Sequence, residues 1–418
     1  MRTVSRLLTA TLLASGLVAV PVLAKDKPAA AAAVAPGAVN PKDISKVGRV
    51  AIVGAQKLET AGDAAGTLAA VKAAEAAGGL NPTDTFYLAQ IKLGAANKLK
   101  DNVALEEAIK TCLDSPFLPA AERPKYIRNL VILSQNRRDY VTATRYSEEL
   151  VAMSPNDPDT VLNLAILYSD QGQAQKAIQT FDKAIAAKVA TGQPAPKVWY
   201  RKSLGLAYDK KLAAETARGG AQLVAAYPTT ANWNLVLNIA RDALSTDDQY
   251  NLDAFRLMRA ANALGPEREY QEYAGLAIEK GLPGEAKKVL DDGIVAKKIG
   301  SKPIDKELMA SANKNVPADK AGLPALERDA PKAPNGKAAL ATGDAFYSYG
   351  NYAKAADMYR LAISKAGGVD VNIANLRLGA SLAQSGDKAG AATAFQSVTG
   401  PRQALAAYWM AYLGQKTA

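Results

Sequence analysis

Few side chains in this sequence could do chemistry, and their types narrow the options quickly. There is no histidine, which removes Ser–His and Cys–His nucleophilic catalysis and the usual zinc ligand sets. Carboxylate, lysine, serine or tyrosine chemistry remains. Ser-x-x-Lys, a spacing used by penicillin-binding enzymes, occurs at Ser311–Lys314 and again at Ser385–Lys388. Neither pair is accompanied by the Ser-Asp-Asn and Lys-Thr-Gly elements that such chemistry needs, and the second falls in a turn. Adjacent acids at Glu148-Glu149 and Asp291-Asp292 could suggest glycoside hydrolysis. Neighbouring residues on a helix point in different directions, so these pairs read as solvated faces. There is no P-loop and no dinucleotide fingerprint. The single cysteine, Cys112, rules out an internal disulfide and reads as a small buried hydrophobe near a helix end. The sequence therefore calls for no catalytic residue, no metal and no cofactor.

The elements that carry these residues are helices of a repeated kind. Hydrophobic residues make up 49% of the chain and aromatic residues only 6%, so burial is ample while a β-sandwich or barrel is disfavoured. A 34-residue frame started at Pro124 puts Leu130 at position 7, Ala143 at 20 and Pro155 at 32. Restarted at Pro158, it puts Leu164, Ala165, Tyr168, Ala177, Phe181 and Ala184 at 7, 8, 11, 20, 24 and 27. Small residues at 8 and 20 let two helices approach, and large ones at 11 and 24 fill the seam with the next pair. A frame from Val198 repeats the pattern with Leu204, Gly205, Tyr208, Ala217, Ala221 and Val224, although Pro228 arrives one place early. Trp233 opens a further repeat. Frames from Glu267, Gly336 and Asn372 recover Ala274 and Ala286, Gly343 and Ala355, and Gly379 and Ala391 as the small pairs.

These positions resemble the tetratricopeptide repeat, the pattern known from exported bacterial proteins among others. The resemblance implies an all-α fold: an α-solenoid of stacked antiparallel helix pairs wound into a right-handed superhelix. Around the repeats the chain divides by composition. Residues 1–24 read as a secretory signal peptide, with Arg2 and Arg6 ahead of an apolar run and a small-residue cut site before Lys25. Residues 25–41 are an alanine- and proline-rich linker, expected to be disordered. Residues 42–120 hold degenerate hairpins, with helices through Val50–Val53, Asp63–Ala77, Thr83–Ala96 and Asn102–Leu113, and with Asp63 and Thr83 as caps. Residues 121–300 form the main repeat array, and 301–335, with five prolines between 303 and 334, either hold short helices or link two arrays. Residues 336–400 return to the pattern, and 401–418 carry a helix that closes the exposed end of the stack.

Such a protein would be exported, to the periplasm or beyond. The formal charge of +11 falls to +9 when residues 1–24 and their two arginines are removed. In tetratricopeptide superhelices the concave wall comes mainly from the first helix of each pair. The matching residues here are Lys125, Arg128, Ile132, Gln135, Asn136, Leu162, Ile166 and Asp170, then Trp199, Lys202, Leu206, Lys210, Asn234, Asn238 and Arg241. Cations, amides and one large aromatic suit an extended protein or peptide partner of the envelope, or a carboxylate held by Arg128 and Lys202. The expected function is a non-catalytic protein- or peptide-binding scaffold. It has no nucleic-acid partner and no stable membrane insertion once the leader is gone. The alternatives are a lytic, glycosidase-like cell-wall enzyme on a helical scaffold, or binding of anionic glycans through net charge.

Overall fold

A computed structural model describes residues 40–415, so the expected signal peptide and all but the end of the expected linker lie outside the described residues. The chain forms two compact units, one ending at Gln173 and the other beginning at Ala174, a division that falls inside the expected 121–300 array. Among the described residues the regular structure is all helical.

The first unit comprises α1 (Lys46–Thr60), α2 (Ala64–Ala77), α3 (Pro82–Leu99), α4 (Asn102–Asp114), α5 (Arg123–Asn136), α6 (Tyr140–Met153) and α7 (Pro158–Asp170). Local chemistry sets most of these boundaries. Asp63, Asp101 and Asp139 each cap a helix by accepting the amide three residues on, at 2.7, 3.0 and 3.1 Å, and Pro82, Pro124 and Pro158 sit in first turns where a missing N–H costs nothing. Asp63 is a cap as expected, but Thr83 is not. It lies inside α3, and Asn81 caps that helix in a capping box with Asp84. Asp84 also accepts from the Ser45 amide and hydroxyl at 3.0 and 2.7 Å, which ties the start of α1 to the start of α3. Gly48 is required at that junction, because a Cβ there would collide with the Asp84 carboxylate. The helices pack chiefly on their neighbours in sequence. Small residues occupy the seams as the repeat demands: Ala143 and Ala165 have no exposed surface.

The second unit comprises α8 (Ala174–Ala190), α9 (Lys197–Asp209), α10 (Ala213–Ala226), α11 (Thr230–Ala243), α12 (Asp248–Ala260), α13 (Glu267–Glu279), α14 (Pro283–Val295), α15 (Pro303–Asp329), α16 (Lys337–Ser348), α17 (Tyr352–Lys365), α18 (Val371–Ser385), α19 (Lys388–Gln396) and α20 (Gln403–Gln415). Where a linker or short helices were expected, α15 is one helix of 27 residues that contains Pro317 and Pro324. Only Asp305, Ala312 and Leu323 of it are buried. The carbonyls that the prolines leave without an N–H therefore have water at hand.

The last helix does more than close an end. Helix α20 packs against α19 and also against α10, nearly two hundred residues earlier in the chain. Gly220 makes the approach possible: a Cβ there would lie 2.6 Å from the Tyr408 hydroxyl. The Trp233 indole N–H donates to Gln415 at 3.3 Å, and the Gln415 amide donates to the Val224 carbonyl at 2.8 Å. Arg402 pairs with Asp247 at 3.0 Å. Nine consecutive residues of α12, Tyr250 to Met258, are buried, so this helix is enclosed on all sides, its polar Asn251, Asp253 and Arg256 included.

Charges close the same gap. Arg377 of α18 donates to Asp253 of α12 at 2.8 Å and to Asp344 of α16 at 2.7 Å. Arg256 of α12 forks onto both oxygens of Glu285 at 2.9 Å each and reaches Asp344 at 3.3 Å. Tyr273 and Tyr359 donate their hydroxyls to Glu285 and Asp344 at 2.6 and 2.7 Å. Burial works against the charge on both arginines, but the facing carboxylates outweigh it and hold them firmly cationic. A buried cluster of this kind adds little stability by itself. Its members cannot be removed singly, because each deletion strands a partner out of water.

Candidate recognition clefts

Helices α5 and α7 carry the best-preserved repeats, and they form a cleft of about 630 Å³ in the first unit. Ile132, Leu162 and Ile166 give it apolar walls, while Arg128, Gln135 and Asn163 supply polar groups. The Gln135 amide donates to Asn163 at 3.4 Å, so these two amides are oriented by each other. Arg128 is exposed and has no ion-pair partner among the described residues. Lys125 leans away onto Glu122 at 2.9 Å. Asn136 and Asp170 are exposed beyond the lining.

In the second unit a cleft of about 850 Å³ runs along α9, α11 and α13. Of the residues expected on this wall, Asn238 and Arg241 line it. Asn234 is committed to structure, its amide donating to the Ala263 carbonyl and to buried Glu269 at 2.9 Å each. Arg241 is held by Glu272 at 2.9 Å and lies 3.7 Å above the Phe255 ring. On α9 the expected residues miss. Trp199 is buried, and Lys202, Leu206 and Lys210 lie outside the lining, where Arg201, Leu204, Gly205 and Tyr208 stand instead.

The cause is a frame set one residue late. Started at Lys197 rather than Val198, the frame puts Leu204, Ala207, Thr216, Gly220 and Leu223 at 8, 11, 20, 24 and 27, and all five are buried. The wall positions then become Arg201, Gly205 and Tyr208, the residues that line the cleft. Pro228 also returns to position 32, so its apparent one-place displacement was the signal in the sequence. Gly205, expected to let helices approach, approaches nothing: a Cβ built there meets no atom within 4 Å. Arg128 and Lys202, expected to hold one carboxylate, stand in different units.

The groups first considered for chemistry are occupied otherwise. Glu148 accepts the Tyr168 hydroxyl at 2.6 Å, Asp291 pairs with Lys287 at 2.8 Å, and Asp292 pairs with Arg259 at 2.7 Å. The Ser385 hydroxyl donates to the Leu382 carbonyl of its own helix at 3.1 Å. Cys112 has no exposed surface, and burial pushes its thiol up to about 12, so it packs as an inert hydrophobe. Among the described residues no group of acids and cysteine is arranged to hold a metal, and no helix is long and apolar enough to cross a membrane.

Paired helices with small residues at the seams, and clefts lined by the first helix of each pair, define a class that comparison with known proteins supports. The sequence pattern of the tetratricopeptide repeat family matches residues 137–193. The photosystem I assembly protein Ycf3 of Prochlorococcus marinus strain MIT 9301 is 30% identical over 125 residues, covering 28% of this chain and 68% of that protein. The same protein from strain NATL2A is 34% identical over 83 residues, 19% of this chain, and the chain spans only 44% of its length. Among solved structures, a tetratricopeptide repeat protein from Parabacteroides merdae is similar over 81% of this chain and all of its own, at 12% identity and a TM-score of 0.30. Pseudomonas aeruginosa pilF is similar over 45% of this chain and 95% of its own, at 15% identity and a TM-score of 0.24. This chain belongs to the tetratricopeptide repeat family.

Proposed function

We propose that the chain is a non-catalytic scaffold of the bacterial cell envelope that holds extended segments of other proteins in its clefts. The observation that carries this reading is the construction of the clefts. Each sets partly exposed apolar side chains, Ile132 and Ile166 in one and Leu235 and Ile239 in the other, beside oriented amides and guanidinium groups. An extended chain offers alternating side chains and unpaired backbone groups that such a surface can satisfy. The matched Ycf3 proteins are named as assembly proteins, which accords with a role in bringing other chains together. The envelope location rests on residues 1–24, whose composition is that of an exported leader.

A photo-crosslinking amino acid placed at Ile132 or Leu235 should capture partner proteins in cells, and one placed at Val295, exposed and outside both clefts, should not. Capture at all three positions, or at none, would remove the clefts from the account. Export is read separately: the mature protein should begin at Lys25 and be released by osmotic shock, or be found in the medium. A cytoplasmic protein retaining Met1 would overturn the location while leaving the scaffold reading intact.

A further inference from the structure

The cleft of the second unit carries a charge preference that names its partner more closely. Its acids are already engaged: Asp242 accepts the Tyr208 hydroxyl at 2.8 Å, and Glu272 is bridged by Arg241 at 2.9 Å and Arg268 at 3.1 Å. Its cations are in excess. Arg201 lines the cleft with only a neutral partner, the Asn232 side-chain oxygen at 2.8 Å. Lys197 lies one helical turn before Arg201, on the same face of α9. Both are exposed, and neither has an ion-pair partner among the described residues. Between these charges the floor is apolar. Leu204 and Ile239 line it, Leu235 is 37% exposed, and Gly205 leaves a notch that no neighbouring atom fills.

From this complementarity we infer that the α9–α11–α13 cleft takes an acidic segment of a partner protein, with one bulky apolar side chain seated between flanking carboxylates. The inference rests on the scaffold reading and adds the chemistry of the partner. The apolar side chain would enter the notch at Gly205 beside Leu235, and the carboxylates would meet Arg201 and Lys197 at one side and Arg268 at the other. Such charge pairs at an exposed rim select the partner and speed its arrival more than they tighten the complex. The Gly205 notch then decides which apolar residue is accepted.

The test uses the chain from Lys25 onward and a fluorescein-labelled glycine–serine peptide that carries one leucine flanked by glutamates. The comparison probe has lysine in place of each glutamate. Fluorescence anisotropy should show binding of the acidic probe only, weakening about tenfold or more as salt rises from about 0.05 to about 0.5 M. Arg201→Glu combined with Lys197→Glu should abolish it, and Lys57→Glu, at an exposed residue outside both clefts, should leave it unchanged. Gly205→Leu supplies a variant that cannot be dismissed as misfolded: the new side chain enters open space and glycine leaves a helix, so stability holds or rises while the probe is lost. Equal binding of the lysine probe, no binding of the acidic probe, or full binding by Gly205→Leu would each overturn the inference. If crosslinking at Leu235 still captures partners in that case, the scaffold reading survives and only the acidic preference falls.

Discussion

The two units use the same helix pair and reach different ends with it. In the first, helices pack chiefly on sequence neighbours, and the one deeply buried cation among the described residues, Lys92, pairs with Glu75 and Glu107, whose side chains remain 33% and 55% exposed. In the second, helices far apart in sequence meet, and the arginines that join them are enclosed with their carboxylates: the side chains of Arg256, Arg377 and Asp253 are 1%, 2% and 3% exposed. Repetition of a hairpin therefore sets the local seams, while a few large and charged side chains decide whether a stack continues or returns on itself. The return leaves the α9–α11–α13 cleft open, because α20 covers α10 rather than the wall that carries Arg201 and Asn238.

The largest expected effect is at the enclosed arginines. Arg377→Ala takes the nearer cation from Asp253 and Asp344, leaving them only the longer reach of Arg256 at 3.4 and 3.3 Å, and should cost about 3–5 kcal/mol, whereas Lys92→Ala, whose partners stay hydrated, should cost roughly 1–2 kcal/mol. The contrast is measurable within one molecule, because all three tryptophans, Trp199, Trp233 and Trp409, lie in the second unit. Tryptophan fluorescence in urea should shift strongly for Arg377→Ala and not at all for Lys92→Ala, whose loss should appear only in circular dichroism. Next in size is the glycine contrast. Gly220→Leu drives a side chain into Tyr408 and should cost about 1–3 kcal/mol, with faster proteolysis near α20. Ala177→Leu, at a residue with no exposed surface, should cost about as much in thermal melts.

The smallest expected effect is a pH dependence in the first unit. The Glu106 carboxyl accepts from Arg137 and pairs with Lys110 at 2.7 Å, and these hold it below its ordinary value of 4.5 against the opposing effect of burial. Its pKa is lower folded than unfolded, so the stability it contributes is complete above that ordinary value and is lost as pH falls through the folded one. Glu106→Gln should therefore lower stability slightly at neutral pH and flatten its fall below pH 4.5. An unchanged acid limb would show that the pair contributes nothing.

The helix pairs were legible because their causes are local. Small residues at fixed spacing, aspartate caps and first-turn prolines all act within one hairpin, and the frames from Pro124, Pro158, Glu267, Gly336 and Asn372 each select buried residues. Of the wall residues expected from the frames at Pro124 and Pro158, Arg128, Ile132, Gln135, Leu162 and Ile166 line the first cleft, and Lys125, Asn136 and Asp170 do not. On the second wall Asn238 and Arg241 stand as expected, but on α9 a one-residue error rotates every side chain by about 100° and exchanges Lys202 for Arg201. The return of α20 and the buried cluster were not legible at all. Arg377 and Asp253 are 124 residues apart, and Arg402 and Asp247 are 155 apart, so nothing in either neighbourhood marks the pairing. Residues 301–335, expected to hold short helices or to link two arrays, instead carry one long helix: prolines disfavour a buried helix interior, but α15 is mostly exposed.

Hydrogen exchange tests the closed second unit most directly. In the wild-type chain the slowest amides of α10, α12, α18 and α20 should open with one shared free energy, and Arg377→Ala should lower all four together. If α18 and α20 instead open by themselves while α10 and α12 keep wild-type protection, the unit is not closed by these contacts.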